Sequence, residues 1–133
     1  MAINLISDSI NQIRKGSKSK SKSVLIFYSK KMMCILDVLY LNGLIRGFRH
    51  YHRGGEVRKI EVLLKYRGNG SPTLKRILAF PRNSDHVGAK ALCVMQCSLG
   101  FGCLVISTSR GGVMSGKEAL RLKIGGVLLC YAT

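Results

Sequence analysis

Residues 103–131 read CLVISTSRGGVMSGKEALRLKIGGVLLCY, and several distinct patterns follow one another inside them. Cys103 to Ile106 is an unbroken apolar run of strand length, introduced by Gly100 and Gly102. Ser107-Thr108-Ser109-Arg110-Gly111-Gly112 then joins it to a glycine-permitted turn before Val113-Met114. Ser115-Gly116-Lys117-Glu118 has capping-box spacing: a Ser hydroxyl can accept from the N3 amide while Glu118 reaches back to the cap's own N–H. A helix to about Lys123 follows, Gly125-Gly126 breaks it, and Val127 to Tyr131 is a final strand of Val, Leu, Cys and Tyr. Strand, turn, short helix and strand in this order predict a β-rich unit with short helices.

Towards the N-terminus, Ala89 to Ser98 reads as a short helix and Leu74 to Phe80 as a strand. Gly68-Asn69-Gly70-Ser71-Pro72 concentrates turn-forming residues and places a boundary between two lobes, 1–70 and 71–133. In the first lobe Ile3, Ile6, Ile10 and Ile13 recur at helical spacing, with Gly16 as the stop. The polar segment from Gly16 to Ser23, GSKSKSKS, has no face to bury and reads as a loop. Val24 to Tyr28 is of strand length, and Ser29 can N-cap a helix through Met33, Leu36, Leu39 and Tyr40 that ends at Gly43. Ile60, Val62, Leu64 and Tyr66 alternate with Lys59, Glu61, Leu63 and Lys65, the period of a strand with one buried face; its partner is Ile45 to Tyr51, with a turn over Arg53 to Glu56. The fold class is therefore α/β of the α+β kind: an N-terminal helix-strand-helix-hairpin lobe and a β-rich C-terminal lobe.

Charge narrows the function. The 133 residues carry 22 Lys and Arg against 6 Asp and Glu, a formal net charge of +16, with 47% apolar residues to build a core. Such a chain repels itself unless a polyanion neutralises it, and nucleic acid is the first candidate. A membrane partner is not expected, because no stretch approaches about 18 uninterrupted apolar residues. No basic n-region with an apolar block and cleavage site opens the chain. The five cysteines are odd in number and mostly embedded in apolar runs, so reduced thiols are expected. Asp8, Asp37 and Asp85 are scattered, against paired-carboxylate catalysis. Neither a cofactor nor a small-molecule substrate is expected, and no residue is assigned a catalytic or metal-binding role. The rival reading is a metal- or thiol-dependent protein using Cys93, Cys97 and Cys103, although their spacing is not that of a common zinc motif.

The chemistry concentrates in Ser107, Thr108, Ser109, Arg110 and Gly111. Each hydroxyl both donates and accepts, so a row of them can address ribose 2′-OH groups and base edges, while Arg110 offers donors to phosphate. This suits the shallow minor groove of an RNA helix better than the major groove of DNA. The alternative is a loop whose Ser and Thr bond local backbone.

Ser107-Thr108-Ser109-Arg110-Gly111, Val113-Met114-Ser115, Glu118-Ala119, Gly125-Gly126 and Cys130-Tyr131 resemble, in that order, the C-terminal signature of the bacterial-type small-subunit ribosomal protein S-eight family. Ile13 to Gly16, Ser29-Lys30, Gly43 to Ile45 and Glu61 to Tyr66 are similar to its upstream elements. The chain departs from the family in one extra glycine at Gly111-Gly112, in Val127 where Glu is common, in Met32 where a basic residue is expected, and across Asn83 to Val94. The resemblance implies a two-lobed, non-enzymatic protein that binds the central domain of small-subunit ribosomal RNA and supports assembly and translation beside neighbouring small-subunit ribosomal proteins. It implies RNA contacts by Ser107, Thr108, Ser109, Arg110 and Gly111, with Arg14, Lys15 and Lys30 on adjacent backbone and Lys18, Lys20 and Lys22 adding non-specific charge. The divergent middle, the cysteines and the charge suggest an organellar member, with the mitochondrion ahead of plastid or bacterial cytoplasm.

Overall fold

The computed structural model describes residues 5–51, 58–80, 86–99, 102–108 and 112–133. The first helix, α1, spans Leu5–Lys18; Ile10 and Ile13 are fully buried while Asp8, Gln12, Arg14 and Lys15 on its other side face solvent. The reading that Gly16 stops this helix is corrected. Gly16 lies inside it and faces inward, where a Cβ would come 2.6 Å from Val24 Cγ2. Glycine is needed there so that α1 can approach the sheet, and the loop expected over 16–23 shrinks to 19–22.

Strand β1 (Ser23–Phe27), helix α2 (Lys30–Leu41) and strands β2 (Ile45–Tyr51) and β3 (Lys59–Leu64) complete the first half. Their sheet is antiparallel in the order β1-β3-β2, with Ile26 opposite Ile60 and His50 opposite the same residue. Ile60, Val62 and Leu64 are buried, as the alternation predicts, so one face of the sheet packs under α1 and α2. Ser29 occupies the N-cap of α2 without a side-chain cap bond; at the other end Asn42 donates from Nδ2 to the Val38 carbonyl at 2.8 Å. The turn expected over 53–56 lies outside the described residues.

The second half contains β4 (Ile77–Ala79), β5 (His86–Val87), α3 (Ala89–Leu99), β6 (Cys103–Thr108), β7 (Gly112–Ser115), α4 (Gly116–Leu122) and β8 (Gly126–Ala132). The five strands pair antiparallel in the order β4-β8-β6-β7, with β5 also on β8. The strand expected over 74–80 is three residues long, because the Lys75 and Arg76 amides bond instead to the Thr133 carbonyl at 2.7 and 3.0 Å. Four helices and eight strands among the described residues form an α+β protein, and no described helix is long and apolar enough to cross a membrane.

Both faces of β6 are covered. Cys103 and Val105 join the cluster of Ile10, Ile13, Leu36 and Val62, whereas Leu104 and Ile106 join Leu92 of α3 and Ala119 of α4. That explains the unbroken apolar run of β6, since a strand buried on two sides has no polar register. A register shift between Val105 and Ile106 leaves Leu129 as the extra residue of β8, so Leu129 and Cys130 both enter the first cluster.

Candidate nucleic-acid interface

Ser107 and Thr108 of the hydroxyl segment lie at the turn end of a β-hairpin. Val105, Ile106, Ser107 and Thr108 of β6 pair with Ser115, Met114, Val113 and Gly112 of β7. The sequence reading had no strand at 112–115; four residues are too few to show a period, and only the pairing defines it. Ser109, Arg110 and Gly111 join the two strands and lie outside the described residues. Gly112 has φ +71, a conformation that favours glycine.

Two of the hydroxyls divide in role. Thr108 is 8% exposed and its Oγ1 donates to the Gly112 carbonyl at 2.8 Å, so it closes the hairpin. Ser107 is half-buried and its hydroxyl makes no hydrogen bond to another described residue. The backbone beneath it is held by Gly125-Gly126. A Cβ on Gly126 would stand 2.4 Å from the Ser107 carbonyl oxygen, and one on Gly125 would stand 2.0 Å from that of Val87. The paired glycines thus do more than end a helix: they let β8 begin pressed between β5 and β6. The register puts His86, Val127, Ser107 and Val113 in one row across four strands. Residues opposite each other in such a row share a face, so exposed His86 stands two strands from Ser107. The placement of His86 in this row leaves no mark in the sequence, because a two-residue strand has no pattern.

The helix after the hairpin carries half of the expected capping box. Ser115 Oγ accepts from the Glu118 amide at 3.3 Å, while the Glu118 carboxylate pairs with Arg121 rather than reaching back. Gly102 completes the frame: its missing Cβ leaves room for the Tyr131 ring, and its carbonyl accepts from buried Gln96 Nε2 at 3.0 Å.

The basic residues do not form one patch. Arg14, Lys18 and Lys20 line a cleft with Lys75, whereas Lys15 lines a separate groove with Asp8 on another side of α1. Lys22 is exposed just before β1 and Lys30 is exposed as the first residue of α2. The serines between the lysines are engaged. Ser19 Oγ donates to the Gly16 carbonyl at 3.2 Å and lies 3.1 Å from Ser21 Oγ, and the Tyr66 hydroxyl donates to the Ser21 carbonyl.

The cysteine alternative fails on topology. Cys103 points into the cluster shared with α1 and α2, while α3, which carries exposed Cys93 and Cys97, packs on the opposite face of the sheet. The strands therefore stand between them, and no cluster of three or more potential metal ligands occurs among the described residues. Burial raises the Cys103 thiol to about 11, partly opposed by Lys117, far from the depressed value of a reactive thiolate.

Comparison with known proteins identifies a family. The family model for ribosomal protein S8 matches residues 4–132. The chain is 39% identical over 129 residues to small ribosomal subunit protein uS8 of Mycoplasmopsis agalactiae, covering 95% of this chain and 94% of that protein. It is 34% identical over 125 residues to the uS8 of Anaplasma marginale strain Florida, covering 94% and 93%, and 32% identical over 125 residues to that of Borrelia duttonii, with the same coverage. With its full hairpin, glycine pair and two-sheet frame inside the matched span, the chain belongs to the ribosomal protein S8 family.

Proposed function

We propose that this protein is a structural constituent of the small ribosomal subunit that binds the central domain of small-subunit ribosomal RNA and supports subunit assembly and translation, without enzymatic activity. Family membership carries the ribosomal role and the RNA and ribosomal-protein partners with it. The observation that carries the site is the β6–β7 hairpin, whose Ser107 hydroxyl is unengaged by described residues and whose backbone rests on Gly126. Ser107 and Ser109 select RNA by shape through hydroxyl contacts, and Arg110 neutralises phosphate beside Gly111. Thr108 sets the hairpin that presents them. Arg14, Lys15, Lys18, Lys20, Lys22 and Lys30 supply backbone attraction with little sequence information.

Replacing Ser107 and Ser109 with Ala tests this directly. Binding to a central-domain rRNA fragment should weaken about ten-fold, on the order of 1 to 2 kcal/mol for two hydrogen bonds, while binding to a random duplex changes little. Equal losses on both RNAs would remove the hairpin from recognition.

We also infer that the ribosome concerned is organellar, and mitochondrial before plastid. Support comes from the charge of +16, the five cysteines and the departures from the family pattern across Asn83 to Val94. Recovery of the tagged protein solely with cytosolic ribosomes would exclude it.

A further inference from the structure

We propose that the cleft between the C-terminal turn of α1 and residues 72–77 is a second, sequence-blind RNA site that grips adjacent backbone phosphates through Arg14, Lys18, Lys20 and Lys75. It deepens the RNA-binding reading above and rests on it. The site could not be seen in the sequence, where Lys75 stands more than fifty residues from Lys20 and belongs to the other lobe.

Three observations carry it. First, Arg14, Lys18, Lys20 and Lys75 line one concavity of about 440 Å³, no described carboxylate lines it with them, and none of the four is ion-paired among the described residues. The adjoining groove along α1 differs, because there Asp8 accompanies Lys15. Like charges around one concavity repel one another, and an anion among them relieves the repulsion. Second, the cleft is built before any ligand arrives. The Ser17 hydroxyl is buried and donates to the Leu74 carbonyl at 3.2 Å, tying the two walls together. The lysine loop is fixed by the bonds of Ser19, Ser21 and Tyr66, by the Leu64 amide on the Lys22 carbonyl at 2.9 Å, and by the left-handed conformation of Lys20 at φ 59. Serines spent on the loop's own backbone leave Lys18 and Lys20 facing water, so little ordering is needed on binding. Third, the chemistry fits phosphodiester and nothing that reads bases. Lysines act as point charges, and Arg14, one arm of which donates to Asn11 Oδ1, offers the remaining donors of its fork, while the floor is Leu74 and Ile77, both buried, and the one side-chain hydroxyl is already engaged.

The cleft and the hairpin are well separated. Ile77 and Cys103 both pair with Ala132 at one end of β8, whereas Ser107 pairs with Val127 near the other. With about 3.3 Å per residue along a strand and about 4.8 Å between strands, Ile77 and Ser107, two strands apart, are separated by roughly 16 to 19 Å. Changes at the two places should therefore add in log Kd.

The test measures Kd of the full chain against salt for two ligands, a central-domain rRNA fragment and a generic RNA duplex. For Lys75→Gln the log-log slope should fall in magnitude by between about 0.7 and about 0.9 on both RNAs, with about three- to ten-fold weaker binding at ~0.1 M salt. Lys75→Arg should restore the slope, and Lys90→Gln, an exposed cation on α3, should not alter it. Slope loss on both RNAs with rescue by Arg supports the cleft, and a thermal melt like that of the parent protein shows that the variant is folded. An unchanged slope on both RNAs overturns it. If the parent protein prefers neither RNA, the rRNA-specific reading fails, and the slope on the duplex still judges the cleft.

Discussion

Side chains of similar type carry different work in this protein, and burial separates them. Ser107 and Thr108 are neighbours in the signature, yet Thr108 bonds the Gly112 carbonyl inside the hairpin while the Ser107 hydroxyl bonds no described residue. No property of the two side chains distinguishes them in the sequence; the difference arises from the alternation of β6 between two covered faces. The cysteines divide in the same manner. Cys103 and Cys130 lie in the core on one sheet face, and Cys93 and Cys97 are exposed on α3. Burial pushes Cys103 up to about 11 and Cys130 up to about 12, with Cys103 itself adding to the latter. Their unfolded-state value is 9.0, so these thiols favour folding fully below pH 9 and lose that contribution as pH rises through the folded values. Each such thiol should tilt stability by about 1.4 kcal/mol per pH unit in this window. Urea unfolding at successive pH values from 8 to 11 should show the stability gap between the parent protein and Cys130→Ala narrowing above pH 9. Lysine deprotonation falls on both proteins alike, so parallel curves would refute the shift.

Elements end where a specific group ends them, and the two helices preceded by serine make that measurable. Ser115→Ala should cost about 1 kcal/mol in chemical denaturation, because the hydroxyl accepts from the Glu118 amide, whereas Ser29→Ala should cost only a few tenths, having no cap bond to lose. Equal costs at both positions would show that the bond at Ser115 adds nothing. The same contrast explains what was legible in the sequence. Ile60, Val62 and Leu64 announced β3, and Ile10 and Ile13 announced α1, because apolar periodicity reports burial on one side. Gly16 misled because a helix stop and a close approach to Val24 both ask for glycine. Strands β5 and β7 were invisible because two and four residues carry no period, and so was the row that His86 shares with Ser107. Part of the candidate site was readable as chemistry, in the hydroxyls and Arg110, and the rest depended on distant residues coming together, as Gly126 comes against Ser107 and Lys75 lines one cleft with Lys20.

At the scale of the molecule, the chain owns two sheets but one main core. The lobes proposed at 1–70 and 71–133 each contain a complete sheet. The larger buried cluster nevertheless draws on both: Ile10, Ile13, Leu36 and Val62 pack with Leu74, Ile77, Cys103, Val105 and Leu129. Helix α1 lies against β4 as well as β1, and α2 lies against β7 as well as β2. Separating the lobes would expose the inner face of the second sheet, an apolar surface with no other cover among the described residues. We therefore propose that the lobes unfold together. Calorimetry of the free protein should give a single transition with calorimetric and van't Hoff enthalpies in agreement. Ile77→Ala, at the seam between α1 and β4, should lower stability by about 2 to 5 kcal/mol and move that transition as one. If the lobes were independent, the variant would split the melt into two steps, one of them unshifted. A single shifted step would also mean that the hairpin and the cleft keep a fixed separation, since the same core holds α1, which carries Arg14 and Lys18, and β6, which carries Ser107.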